Sequence, residues 1–173
     1  MSEETLPPSR LPFHTPTCMG CGPDNPHGFQ LTVFRDGDSV FSDITFDERH
    51  SGAPGLAHGG AVAAVCDDLF GFTLWVAGTP AVTRSLTVDY LQPVPLYQPH
   101  RITAHVESRD GRALHVTGAG SSSDGMVRFT AKALFIIVTA EHFGAHGDLT
   151  AFSDVFQRLA AISESPGSGD PTP

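Results

Sequence analysis

Residues 55–60, GLAHGG, followed by residues 61–76, AVAAVCDDLFGFTLWV, decide the fold of this chain. Apolar side chains recur in the second segment at three- and four-residue spacing: Val62, Val65, Leu69 and Phe72. This spacing predicts a helix with one continuous apolar stripe. Most of the remaining residues of the segment are apolar too, so we expect the helix to be buried on every side.

Two acids, Asp67 and Asp68, lie inside this apolar helix. Burial of a carboxylate is unfavourable unless the group is hydrogen-bonded, and desolvation raises its pKa. Asp67 is therefore either a buried acid satisfied by local donors or a functional acid, and the helix pattern alone leaves both interpretations open. Asp68 lies about 100° further round the helix, and we interpret it as structural.

The pair Gly59 and Gly60 lies where this helix is expected to begin. The first N–H groups of a helix have no internal partner, and the helix dipole favours negative charge there. Such a helix start can hold a carbonyl oxygen as it becomes an oxyanion. Asp67 follows Gly59 at a distance of about 12 Å along the axis. If both residues act on one substrate atom, two copies of the chain must share the site; otherwise one of the two residues is not catalytic.

Segments rich in β-forming residues flank the helix. We predict strands over residues 29–34, 40–46, 81–91, 101–108, 114–121 and 127–139, with hairpin turns at 36–38, 110–111 and 124–125. Two strands, a long helix and then consecutive antiparallel strands describe an α+β domain in which one sheet wraps one helix. Alternation along residues 81–91 places Thr83 and Asp89 on the same face of their strand.

The two ends of the chain differ from this central region in composition. Residues 1–16 contain four prolines and no periodicity, which predicts a flexible or draped lead-in to a domain over residues 17–140. Apolar spacing within residues 150–163 predicts an amphipathic helix in an extension over residues 141–163. The composition of residues 164–173 is that of a disordered tail.

Length and charge limit the classes of function. A chain of 173 residues is expected to form one domain, and a net charge of −9, from 19 acidic and 10 basic residues, argues against binding to nucleic acid or to anionic membranes. Three cysteines, no hydrophobic leader and no run of 18 apolar residues are typical of a protein in a reducing compartment. We therefore expect a cytoplasmic protein.

The first two cysteines, Cys18 and Cys21, have the spacing of metal ligands, and His14 and His27 could complete a set of four. A structural zinc site usually shows a second ligand pair at recognisable spacing, and no second cysteine pair follows here. We therefore expect a glycine-rich turn and no bound metal. Cys66 lies within the apolar helix and is interpreted as a small hydrophobic residue.

The run GLAHGGAVAAVCDDLFG at residues 55–71, the strand from Thr83 to Tyr90 and the pair Pro93 and Pro95 together resemble a known family. They are similar to the hotdog-fold acyl-CoA thioesterases of the phenylacetic-acid-degradation (PaaI-like) type, and the resemblance covers residues 18–138. It implies a hotdog fold, in which an antiparallel sheet wraps one long central helix. It further implies a homodimer or a dimer of dimers.

The same resemblance implies roles for individual residues. The Gly59 N–H would polarise the thioester carbonyl, Asp67 would activate water or attack directly, and Thr83 would lie beside the reacting water. His58 matches the histidine of the family motif and would position the helix start. Gly60 and Asp89 would take part in substrate binding, and Asp89 stands where relatives often carry Asn. Independently of the resemblance, four basic residues are candidates, by position only, for contact with the CoA phosphates, and a solvated sheet surface is the alternative for each: Arg84, Arg101, Arg128 and Lys132.

The implied reaction is the hydrolysis of an acyl-CoA, with no cofactor, since CoA is part of the substrate. An alternative stays open, namely a non-catalytic hotdog module that binds or senses acyl-CoA and in which Asp67 is merely buried. The presence of Asp67, Thr83 and the glycine helix start in one chain favours the enzyme.

Overall fold

The computed structural model describes residues 7–147 and Gln157. Seven strands form one antiparallel sheet in the order β1-β2-β3-β7-β8-β9-β6, and β4 pairs with β5 in a small separate ribbon. The strands are β1 (Ser9–Arg10), β2 (Phe34–Asp36), β3 (Ser39–Thr45), β4 (Ser51–Ala53), β5 (Leu56–Ala57), β6 (Ala81–Tyr90), β7 (Pro99–Asp110), β8 (Ala113–Ser122) and β9 (Val127–Ile137). The predicted turns before β8 and β9 are present, with Gly111 and Gly125 in the left-handed conformation that glycine tolerates best.

The predicted central helix is present but consists of two parts, α1 (Gly59–Gly71) and α2 (Thr73–Val76). The break lies at Phe72, beside which the Thr73 hydroxyl donates to the Phe70 carbonyl oxygen at 2.7 Å. A hydroxyl that bonds back to the preceding turn competes with the regular helical ladder and bends the helix. The described residues also include a 3₁₀ turn (Glu48–His50) and α3 (Ala140–Gly144).

The core lies between the sheet and one side of α1. The buried residues of this side are Val62, Val65, Cys66, Leu69 and Phe70. The inward residues of β9 alternate with its exposed ones, as expected for a half-buried strand, and are Phe129, Ala131, Ala133 and Phe135. A long helix held in the curve of an antiparallel sheet is the hotdog architecture, so this prediction is confirmed.

The opposite side of α1 is not buried, which corrects the expectation that the helix is covered all round. Gly60 is exposed, and Ala63, Ala64 and Asp67 are only half-buried. The sheet of one chain is wide enough to cover one side of the helix and leaves the other open. By length and composition Gly59–Val76 could also cross a membrane, but half of it is buried inside the domain, as the core helix of a globular protein is.

The beginning of the chain differs from the prediction in two ways. The strand expected over residues 29–34 starts only at Phe34, because Gln30 adopts a positive φ of 52° that interrupts an extended strand. The described part of the lead-in is draped over the domain, with β1 paired to β2 and Leu11 buried. The predicted helix over residues 150–163 and the tail lie outside the described residues.

Candidate active site

The start of α1 is built by three neighbouring residues. His58 is the N-cap, and its Nδ1 accepts a hydrogen bond from the Gly60 N–H at 2.8 Å. This capping role satisfies one of the free donors of the first turn and fixes Nδ1 as the unprotonated ring nitrogen in this contact. Within the described part of the chain the Gly59 N–H has no acceptor. Gly59, rather than Gly60, therefore offers the free backbone donor.

Tyr90 of β6 completes this end of the helix. Its hydroxyl donates to the Gly59 carbonyl oxygen at 2.6 Å, so the edge strand is tied to the helix start. A Cβ added to Gly59 would lie 3.2 Å from the Tyr90 ring, which is tighter than ordinary van der Waals contact. Any other residue at position 59 would require the Tyr90 ring to shift by a few tenths of an ångström. Gly59 and Tyr90 face a cleft of about 360 Å³, which Val62 and Pro93 also line.

Asp67 lies at a second and separate cavity. The Thr83 hydroxyl donates to Asp67 Oδ1 at 2.9 Å, which joins α1 to β6 at this point. The cavity has a volume of about 360 Å³, at the lower end of the range for small-molecule sites. Its lining is mainly apolar, apart from His14, two carboxylates and three threonines: His14, Thr15, Asp67, Asp68, Gly71, Leu74, Trp75, Thr79, Pro80, Ala81, Val82, Thr83, Phe135 and Phe143.

A β-bulge in β6 aims Thr83 at the helix. The register of β6 against β9 shifts between Thr83 and Ser85, so that Arg84 is the extra residue. Directly opposed residues of an antiparallel pair share a face. Thr83 is opposite the buried Phe135, whereas Asp89 is opposite Thr130, which belongs to the other face of β9. The prediction that Thr83 and Asp89 line one surface is therefore wrong, because one inserted residue reverses the alternation.

Asp68 faces a different set of partners from Asp67. The Cys18 thiol donates to Asp68 Oδ1 at 3.1 Å, and His14 Nδ1 lies 3.3 Å from the same oxygen. Asp68 Oδ2 is buried without a hydrogen-bond partner among the described residues. Burial raises the pKa of Asp68, and the contact with His14 opposes this only in part. Burial lowers the pKa of His14, but its contacts with Asp68 and Cys18 outweigh this and raise it to about 9.

Residues 54–128 match the family model described as Thioesterase superfamily. This segment, which we call the thioesterase region, is similar to the thioesterase superfamily. The matched segment contains α1 and β6, and with them Gly59, Asp67 and Thr83.

The chain has relatives among curated proteins and solved structures. It is 35% identical over 86 residues to acyl-coenzyme A thioesterase THEM4 of Rattus norvegicus, a match that covers 49% of this chain and 37% of that protein. The chain thus spans well under half the length of this relative. A crystal structure of a thioesterase superfamily protein aligns with a TM-score of 0.67 and 29% identity, over 69% of this chain and 60% of the other.

A second solved structure is the hypothetical thioesterase of Streptococcus pneumoniae TIGR4 with coenzyme A. It aligns with a TM-score of 0.57 and 20% identity, over 60% of this chain and 83% of the other. At this level of identity the similarity concerns the fold alone.

The structure brings the predicted site residues of the thioesterase region together in two groups. His58, Gly59 and Gly60 form the helix start, and Asp67 contacts Thr83 further along the same helix. Arg84 and Asp89 are exposed, and no contact between Asp89 and His58 occurs among the described residues. Sequence reasoning missed the role of Tyr90, because a strand pattern gives its face but not the helix turn that its hydroxyl reaches.

Proposed function

We propose that this protein hydrolyses an acyl-CoA thioester to a free acid and CoA. The observation that carries the proposal is the contact of Thr83 with Asp67 on the wall of an apolar cavity. An oriented carboxylate beside an apolar pocket suits a reaction in which water must be activated next to an acyl chain. The relative THEM4 is an acyl-coenzyme A thioesterase, and the streptococcal structure contains coenzyme A; both support the same substrate class.

In the proposed chemistry, two residues of α1 have different roles: Gly59 at its start and Asp67 further along it. The free Gly59 N–H donates to the thioester carbonyl oxygen and stabilises the negative charge that develops there. Asp67 accepts a proton from water, and the resulting hydroxide attacks the carbonyl carbon. Collapse of the tetrahedral intermediate breaks the carbon–sulfur bond and releases CoA as the thiolate, which takes up the proton held by Asp67 and so restores the carboxylate. Thr83 acts as a positioning residue, since its hydroxyl holds Oδ1 and leaves Oδ2 for the water.

The proposed site is shared between two copies of the chain. Within one chain Gly59 and Asp67 face two separate clefts and lie about 12 Å apart along the helix. The side of α1 that the sheet leaves open is flanked by β6, which pairs only with β9 among the described strands. A two-fold dimer formed on this side brings the helix start of one copy next to Asp67 of the other. Each dimer then has two equivalent sites.

The two parts of the substrate would meet different surroundings. Leu74, Trp75 and Phe135 offer an apolar wall for the acyl group. The phosphates of CoA need local cations, because the chain carries a net charge of −9. Arg84 is exposed on the bulge next to Thr83, and we propose that it faces these phosphates.

The test is a thioesterase assay with short, medium, long and aromatic acyl-CoA esters, in which the released thiol is detected. We expect turnover of at least one class by the wild-type protein and its loss in Asp67→Asn. Acyl-CoA binding measured by calorimetry without any turnover would overturn the hydrolase proposal and favour the binding module. Binding and turnover that are equal in both proteins would remove Asp67 from the mechanism.

A further inference from the structure

Four potential metal ligands converge beside the proposed active site. They come from two parts of the chain: His14, Cys18 and Cys21 from the lead-in and its first loop, and Asp68 from α1. One ligand atom from each residue lies within 4.8 Å of the ligand atoms of the other three. The side chain of Asp68 is only 11% exposed and that of His14 only 26% exposed.

Three of the six distances between the ligand atoms of this cluster are close to the edges of a tetrahedral zinc site. Ligands at ordinary zinc distances, about 2.0 Å for oxygen or nitrogen and 2.3 Å for sulfur, are separated from one another by about 3.3 to 3.8 Å. Cys21 Sγ lies 3.3 Å from His14 Nδ1, and His14 Nδ1 lies 3.3 Å from Asp68 Oδ1. Cys18 Sγ lies 3.1 Å from Asp68 Oδ1, slightly inside that range.

The surrounding backbone allows these four groups to meet. A Cβ added to Gly20, between the two cysteines, would overlap with the Asp68 carboxyl group. The Cys18 carbonyl accepts from the Gly22 N–H at 3.0 Å, which closes the turn around the pair. The His14 N–H donates to Cys21 Sγ at 3.3 Å, the kind of outer contact that orients a metal-bound thiolate. The glycine-rich turn expected from the sequence is therefore shaped to admit Asp68.

We propose that His14, Cys18, Cys21 and Asp68 bind one zinc ion with a structural role. Two thiolates, an imidazole and a carboxylate form a set that suits zinc, and four protein ligands leave no open position for a substrate or a catalytic water. Asp68 Oδ2, which is buried without a protein partner among the described residues, lies at the same centre. The proposal contradicts the expectation from the sequence that no metal is bound. That expectation is based on the absence of a second cysteine pair, and the sequence spacing does not indicate Asp68 of α1 as a ligand.

The ion would attach the lead-in to the helix that carries Asp67. His14 also packs against Phe72, with ring centroids 4.1 Å apart, and lines the cavity beside Asp67. A site that joins residues 50 positions apart in the chain restricts the unfolded ensemble, and zinc binding of this kind adds directly to folding free energy. The cavity wall at His14 would then depend on the metal for its position.

The test uses the full-length protein, purified without added metal and analysed for zinc. We expect about one zinc per chain, and after cobalt substitution we expect thiolate-to-cobalt charge-transfer bands with intense tetrahedral d–d bands. His14→Ala and Cys18→Ser with Cys21→Ser should reduce zinc to under about a tenth per chain. The matched control is His27→Ala, because His27 is the exposed histidine next to the same turn and should leave zinc content unchanged.

If the variants fail to fold, the proposal can still be tested by a second measurement on the wild-type protein alone. Removal of zinc by a strong chelator should lower the thermal unfolding temperature, and zinc added back should restore it. A protein that contains no zinc and that gains neither cobalt bands nor thermal stability on loading would overturn the proposal. So would a mass lower by two hydrogen atoms that identifies a Cys18–Cys21 disulfide, or loss of zinc in His27→Ala but not in His14→Ala.

Discussion

Asp67 and Asp68 are neighbours in sequence and in the same helix, yet they belong to two different surroundings. Asp67 is half-buried at the cavity wall and accepts a hydrogen bond from the Thr83 hydroxyl of β6. Asp68 is more deeply buried and contacts a thiol and an imidazole from the beginning of the chain. Both residues border the same cavity, but the rotation of about 100° between consecutive helix positions directs the two carboxylates at different partners. The environment on each side of the helix, rather than the residue type, determines what each acid can do.

The largest effect is expected from an isosteric change of each acid in turn. Asp67→Asn keeps the shape but removes the base, and loss of a general base typically lowers kcat by 10²- to 10⁴-fold. Asp68→Asn should lower kcat by less than about tenfold, because Asp68 touches no reacting group in the proposed mechanism. Steady-state kinetics on proteins of verified fold measure both. Equal losses of kcat in the two variants would contradict the assignment of different roles to Asp67 and Asp68.

Hybrid dimers test whether Asp67 serves its own chain or its neighbour. Asp67→Asn and Gly59→Pro each disable one half of every site, and proline is tolerated at the first helical position. After random subunit exchange, half of the dimers carry one intact site, so about a quarter of wild-type activity should return.

Each parent must first be shown to be dimeric and inactive, because a side chain at position 59 also approaches Tyr90. Verified hybrids that remain inactive would place Gly59 and Asp67 in separate roles within one chain.

A smaller effect is expected from removal of the Thr83 hydroxyl, which contacts Asp67 and not Asp68. Thr83→Val removes a hydrogen bond to a charged group, worth about 1.5 kcal/mol, and should lower kcat about tenfold with little change in KM. Thr83→Ser keeps the hydroxyl and should recover most of this loss. A rise in KM at unchanged kcat would instead assign Thr83 to substrate binding.

The smallest effect concerns the loss of folding stability at low pH. This loss must be distinguished from titration of Asp67 and Asp68 before a pH profile of activity is interpreted. His100 is buried in the sheet, and both ring nitrogens lack a hydrogen-bond partner among the described residues. Burial lowers its pKa, with Arg128 acting in the same direction and the nearby Gln98 backbone and Asp124 opposing it. Below pH about 6.5 the unfolded chain binds this proton before the folded one, so the free energy of unfolding falls with falling pH.

The expected slope is at most about 1.4 kcal/mol per pH unit for one proton. Urea unfolding between pH 7 and pH 5 should therefore show a weaker acid dependence in His100→Phe than in the wild-type protein. If the pH dependence of unfolding is unchanged in His100→Phe, other groups, including the cluster around Asp68, are responsible for the acid sensitivity.

The fold could be predicted from the sequence because its signals are local. Helical periodicity and the turns at Gly111 and Gly125 each depend on residues close together in the chain. The details that failed depend on single residues whose effect is set by tertiary contacts. One extra residue at Arg84 reverses the face of Thr83, and nothing in the local pattern of threonines and apolar residues signals it.

For a similar reason, the cluster around Asp68 could be identified only in part from the sequence. The spacing of Cys18 and Cys21 and the nearby His14 could be identified, but the fourth member comes from α1, far along the chain. A ligand that arrives from a distant element leaves no spacing to recognise. Only the fold, which lays the lead-in against the helix, joins the two parts.

The two edges of the sheet are very unequal, and this affects how copies of the chain can associate. One edge is the ten-residue β6, and the other is β1, which has two residues. A long unpaired edge is an open template for another strand, and pairing of β6 with β1 of the next copy would repeat without end. The short β1 offers very few hydrogen bonds for that contact, whereas β6 against β6 closes after two copies. If copies of the chain pair through a sheet edge, these strand lengths favour a finite pair over a growing filament.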